Sequence, residues 1–262
     1  MLVLAGILVV AFAGWWFLVR SDAPPAPDLA TAAETAAAAQ QPATTVSPTS
    51  AAPTTAAPAT TATPTTVAPA TTAGPPDPSG TWAVDPDIGS FHDFTSTWVG
   101  YRIDEELGRG IGATTAVGRT PLVTGTIEIV NGAVASARIT ADLRGLISDR
   151  TYRDGKVFEV LHVDQHPEAV FVLDAPVPLA EGTTELAATA PGELTVNGLS
   201  VAVEATLEAT LVGDVLTVVG SLPVVLADHD VEAPSAPIVV SVADHGVVEF
   251  QLFLTRSVGA TG

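Results

Sequence analysis

The sequence predicts an all-β domain, an antiparallel β-barrel, behind an apolar N-terminal segment and a Thr/Ala/Pro-rich stretch. Three observations predict it. Several runs alternate apolar and polar residues at period two, turn dipeptides separate those runs, and one run is too long for a compact sandwich. Composition divides the chain into residues 1–20, 21–79 and 80–262.

Met1 to Val19 carries no charge and ends Trp15-Trp16-Phe17-Leu18-Val19 before Arg20. About twenty apolar residues cross the hydrocarbon core as a helix, and aromatic residues gather at the interface. A transmembrane anchor is therefore expected at residues 1–20. A secretory signal peptide is the rival reading, with Ala11-Phe12-Ala13 as its cleavage site. Against it, no Lys or Arg precedes the apolar run, which continues past Ala13. Arg20 alone would place the adjoining chain in the cytoplasm, but Asp22 offsets it.

In Ser21 to Ser79, 45 of 59 residues are Ala, Pro or Thr and none is aromatic. Such a segment buries too little apolar surface to offset the entropy of ordering, so a disordered, extended stalk is expected. Its reach in polyproline form is on the order of 180 Å. Thr/Pro tracts suit O-glycosylation outside the cell, which favours an extracytoplasmic position for the C-terminal domain.

From Gly80 onward the chain reads as strands. Ala137, Ile139, Ala141 and Leu143 alternate with Arg138, Thr140 and Asp142. Val201, Val203, Ala205, Leu207, Ala209 and Leu211 alternate with residues that include Glu204 and Glu208. This run of eleven is about 36 Å long at 3.3 Å per residue, which suits a tall barrel. Leu216, Val218, Leu222, Val224 and Leu226 continue the pattern across Gly220. Val248, Phe250, Leu252 and Leu254 repeat it, with Phe253 breaking the polar face. Turn signals fall at Asn131-Gly132, Glu181-Gly182, Asn197-Gly198, Gly213-Asp214 and His245-Gly246. One helix is expected over Asp149 to Val163, with Ser148 as N-cap and Gly155 weakening its middle. Small inward residues (Ala137, Ala141, Ala205, Ala209, Gly220) leave volume for an apolar guest unless large residues opposite fill it.

Nine basic and 25 acidic residues leave Gly80–Gly262 at a formal charge of −16. A surface this negative repels phosphate backbones, so nucleic acid is not an expected partner. The chain has no cysteine, which excludes disulfides, thiolate metal sites and a cysteine nucleophile.

Thr81-Trp82-Ala83-Val84-Asp85-Pro86 followed by Ser90-Phe91 resembles the opening strand of the YceI-like domains. Val99-Gly100-Tyr101-Arg102, Ala116-Val117-Gly118-Arg119-Thr120 and Val123-Thr124-Gly125-Thr126-Ile127 look like that family's glycine-before-strand stretches. Arg153-Asp154 before His166-Pro167-Glu168-Ala169-Val170-Phe171, and Gly192-Glu193-Leu194-Thr195-Val196-Asn197-Gly198, are similar to its later motifs. The match covers Gly80 to Leu254. The resemblance implies a lipocalin-like barrel of about eight strands whose apolar pore holds a polyisoprenoid or another long-chain lipid, without catalysis and without a cofactor. One departure stands out. Where the family often has a basic-acidic-aromatic-glycine element, this chain reads Ala227-Asp228-His229-Asp230-Val231-Glu232-Ala233-Pro234, with no Lys or Arg.

The candidate ligand-binding residues are Phe94, Trp98, Leu207, Phe250 and Leu252, which sit on apolar strand faces. Arg102, Arg119 and Arg153 are candidates for a lipid head group or for structural ion pairs. His162, Asp164 and His166 have helical metal-ligand spacing, but Pro167 biases His166 out of a helix. Asp228-His229-Asp230 is a second acidic/His cluster, more simply a solvated loop. Gly108-Arg109-Gly110-Ile111-Gly112 lacks the third spaced glycine and following helix of a phosphate loop, and reads as a strand crossing. No Gly-x-Ser-x-Gly occurs. A cell-surface interaction module with a side-chain-filled barrel is the alternative reading, and an enzyme with a hidden metal site a third.

Overall fold

The computed structural model describes residues 23–41, 77–179, 185–234 and 238–257. The expected transmembrane segment at residues 1–20 lies outside them, as do residues 42–76 and the Glu181-Gly182 turn. Among the described residues no helix is long and apolar enough to cross a membrane.

The strands are β1 (Gly80–Val84), β2 (Trp98–Leu107), β3 (Gly112–Thr120), β4 (Val123–Val130), β5 (Ala133–Asp142), β6 (Ile147–Ser148) and β7 (Glu168–Leu173). After them come β8 (Val177–Pro178), β9 (Glu185–Val196), β10 (Leu199–Val212), β11 (Val215–Val225), β12 (Val239–Val242) and β13 (His245–Arg256). Helix α1 spans Leu29–Ala39 and α2 spans Thr151–Val160.

Eight strands close a barrel in the order β1-β4-β5-β7-β9-β10-β11-β13, with β13 pairing back to β1. All these pairings are antiparallel. Closure is shared along one edge of β13. Leu254 to Arg256 pair with β1, while Val247 to Gln251 pair with β2, which continues into β3 and β6. The alternation read in the sequence is the barrel's inside and outside. On β10, Ala205 and Ala209 are buried and Glu204 and Glu208 exposed. Asn131-Gly132 and Asn197-Gly198 take positive φ at both residues, as tight two-residue hairpins require, and join β4 to β5 and β9 to β10. Gly213-Asp214 joins β10 to β11, whereas His245-Gly246 lies within β13. The Gly108–Gly112 stretch is the turn between β2 and β3.

The expected helix is shorter than its periodicity suggested. Its N-cap is Arg150, without a side-chain cap bond, because Ser148 is committed to β6 and its backbone N–H donates to the Asp154 carboxylate at 2.8 Å.

The stalk reading is corrected for residues 23–41. Asp28 caps α1 by accepting from the Thr31 backbone N–H at 2.9 Å, which holds its carboxyl below the usual range. The capped helix is largely alanine, the strongest helix former. Eleven residues are marginal as an isolated helix, so packing must support it. Ala32 and Ala36, one turn apart, are 1% and 0% exposed and pack with Ile88, Val215, Val219 and Phe253 on the outer wall. This explains why Phe253 interrupts a polar face: α1 covers it.

Candidate functional site

The barrel encloses an apolar cavity of about 640 Å³, within the range of small-molecule sites. Ala137, Ala141, Ala205 and Ala209 line it and leave the space their small side chains promised. Gly220 does not contribute volume. A Cβ there would meet Cζ of Phe250 at 2.6 Å, so the ring fills that position. Leu207, Phe250 and Leu252 line the cavity.

Phe94 and Trp98 do not. The residues of β2 that point inward are Val99, Tyr101, Ile103 and Glu105, and Trp98 has the opposite parity. It lies on the outer wall, where the Arg119 guanidinium stacks 3.8 Å from its ring and 4.7 Å from that of Phe94. The parity of β2 was a usable signal, since Trp98 alternates in phase with Gly100 and Arg102.

Of the three arginines, Arg102 and Arg119 meet Glu249, at 2.7 Å and 3.9 Å, and Arg102 also borders the cavity. Burial lowers the Arg119 guanidinium to about 10, opposed by Glu249, so it stays charged at any physiological pH. Its Nε has no hydrogen-bond partner among the described residues. Arg153 reaches the cavity from α2 and pairs with Glu105 and Asp149. Val157, Val160 and Leu161 close that end with it.

Glu105 and Tyr101 lie on the inner face of β2, toward this end. Burial pushes the Glu105 carboxyl up, opposed by the charge of Arg153. Burial also pushes the Tyr101 phenol well up, and its hydroxyl has no partner among the described residues. Tyr101 and Glu105 were missed in the sequence because polar side chains on an inward face look like the wet face of a strand.

Among the described residues no cluster of His, Asp or Glu is arranged to hold a metal. His162 and His166 serve the architecture. His162 Nδ1 lies 3.0 Å from Asn197 Oδ1, and Asn197 Nδ2 donates to the His229 carbonyl at 3.1 Å. The ring of His166 packs on Gly198. His229 is buried at 3% exposure, with Nδ1 3.2 Å from the Leu199 carbonyl. The residues that looked like ligands thus knit the segment after α2 to the β9–β10 hairpin.

A family model described as YceI-like domain matches residues 82–254. No curated protein matches the chain. Among solved structures, Burkholderia cenocepacia BcnA is similar at 19% identity, over 60% of this chain and 95% of that one, with a TM-score of 0.47. A polyisoprenoid binding domain from Saccharophagus degradans, implicated in plant cell wall breakdown, is similar at 13% identity over 61% and 94%, TM-score 0.47. The YCEI protein of Campylobacter jejuni is similar at 11% identity over 53% and 84%, TM-score 0.46.

Proposed function

The chain belongs to the YceI-like domain family, and from that premise we propose that its barrel is a non-catalytic carrier of a long-chain, polyisoprenoid-like lipid. The single observation that carries the reading is the apolar cavity of about 640 Å³ running inside the strands. Each methylene moved from water into such a space contributes about 0.8 kcal/mol, so a tail binds tightly with few polar contacts. The alanines at four inward positions keep that space open, which favours the carrier over a side-chain-filled module.

Position in the cell belongs to the same reading. Met1–Val19 holds the protein in the cytoplasmic membrane, and the domain faces outward from it. The apolar run before Arg20 and the Thr/Pro composition after it support this. A domain charge of −16 keeps the barrel from adhering to anionic lipid by electrostatics alone.

Native mass spectrometry of the protein incubated with a lipid extract tests the carrier reading. A discrete added mass that disappears on organic extraction is expected. An apo mass under all conditions, with a melting temperature indifferent to added isoprenoids, would overturn it.

A further inference from the structure

Residues 23–41 meet the barrel at three separated places. At the first, the Pro24 carbonyl accepts from Arg102 Nη2 at 2.7 Å and the Pro25 carbonyl accepts from Arg119 Nη2. At the second, Ala32 and Ala36 seat on Val215, Val219 and Phe253. At the third, Gln40 grips the β10–β11 turn. Its Nε2 donates to the Val212 carbonyl at 2.8 Å, and its Oε1 accepts from the Asp214 N–H at 3.0 Å.

The receiving surface is prepared for this. Arg102 is oriented by Glu249, and Arg119 by the rings of Trp98 and Phe94. A proline-rich strand offers backbone carbonyls and no competing N–H at each proline, so two fixed guanidiniums suit it. Val215, Val219 and Phe253 face outward, out of phase with the cavity-lining residues of their strands, and would be an exposed apolar stripe without α1.

We infer that residues 23–41 are a clamp that binds the barrel wall independently of the connector after it. Gln41 and Asp77, the described residues on either side of positions 42–76, then both belong to the clamped body. The chain before residue 23 departs from the wall beside Arg102, which pairs with Val247 near the start of β13, at the barrel end closed by α2. The consequence for position rests on the membrane anchor of the proposed function. From Val19 to Ala23 are four Cα steps, roughly 15 Å when extended. A 59-residue stalk would allow on the order of 180 Å. The clamp therefore holds the barrel against the bilayer surface instead of letting it range away.

The test uses the full chain in detergent with a site-specific protease sequence inserted after Ala59. After cutting, size-exclusion chromatography without denaturant is expected to carry the N-terminal fragment and the barrel together. In a second protein, Ala36→Glu with Gln40→Ala, the fragment is expected to separate while the barrel keeps its circular dichroism. Separation in the unmodified sequence would overturn the clamp. Co-elution in the double variant would overturn the hold by α1 and Gln40 and leave it to the Pro24 and Pro25 carbonyls on Arg102 and Arg119.

Liposome flotation of the uncut protein reads the anchor separately, and failure to float with the fragment retained removes the anchor but not the clamp. Because the chain has no cysteine, a label at Ser200→Cys reports distance from dye-labelled lipid in proteoliposomes. Energy transfer should fall severalfold in the double variant, and equal transfer in both proteins would overturn the short leash.

Discussion

The ring of Tyr101 lies across Gly118 on the neighbouring strand: a Cβ on Gly118 would stand 3.0 Å from Cζ and 3.1 Å from the hydroxyl. The two residues are register partners between β2 and β3. Glycine is needed here for room and not for an unusual φ. Its hydrogen lets an aromatic side chain lie flat on the sheet and reach the polar end of the cavity.

Gly118→Ala should force that ring out of place. Overpacking of this kind costs about 1–3 kcal/mol. Urea unfolding should show a lower midpoint with an unchanged slope. An unchanged midpoint would mean that the ring moves freely.

Filling the cavity should remove ligand without removing the fold. Ala137→Phe and Ala209→Phe put bulk where small side chains now line the space. Native mass spectra should show the apo mass alone in lipid extract, with the β-sheet circular dichroism retained. Full lipid occupancy in both variants would show that the tail lies elsewhere.

Inner and outer aromatics should behave differently. Phe250→Ala removes a cavity wall and should weaken retention of the lipid measured by competitive extraction. Trp98→Ala should leave retention unchanged but cost about 3–5 kcal/mol as a large-to-small change, since Trp98 is 1% exposed and shields Arg119. Weaker retention in Trp98→Ala with stability intact would reverse the assignment.

Glu105 gives a pH signature. Burial raises its folded value above 4.5, so the folded state binds the proton more tightly than the unfolded chain. Its contribution to stability is then lost as pH rises from about 4.5 through that raised value. Glu105→Gln cannot ionise. Its stability relative to the parent should improve as pH goes from about 4.5 to about 7, in urea titrations at each pH. A variant that becomes progressively less stable than the parent over that window would show that the Arg153 pair outweighs desolvation.

Phe253 shows where sequence reading and packing meet. Its period-two neighbours predicted a polar residue there, and the anomaly was visible. Its cause was not, because the covering helix comes from a stretch whose composition reads as disordered. Alanine supplies helix propensity and almost no burial, so nothing in residues 29–39 indicates a docking site until the apolar stripe on β11 and β13 is in place. His162 and His166 teach the converse. Their spacing suggested ligands, but chain reversal after α2 turned them toward the β9–β10 hairpin.

By itself the sequence determined the long alternating strands β5, β10, β11 and β13, their inward faces, the two-residue hairpins and the apolar character of the interior. All of these arise from local steric preference and from which side chains water excludes, and both are written at a period of two residues. Tertiary structure alone decided that β13 closes the barrel on β1 while sharing its edge with β2, that Trp98 and Phe94 face outward, that Tyr101 and Glu105 face in, and that residues 23–41 clamp the wall. Each depends on which distant segments meet. The free energy of that meeting resides in the contact between surfaces, and neither segment carries it alone.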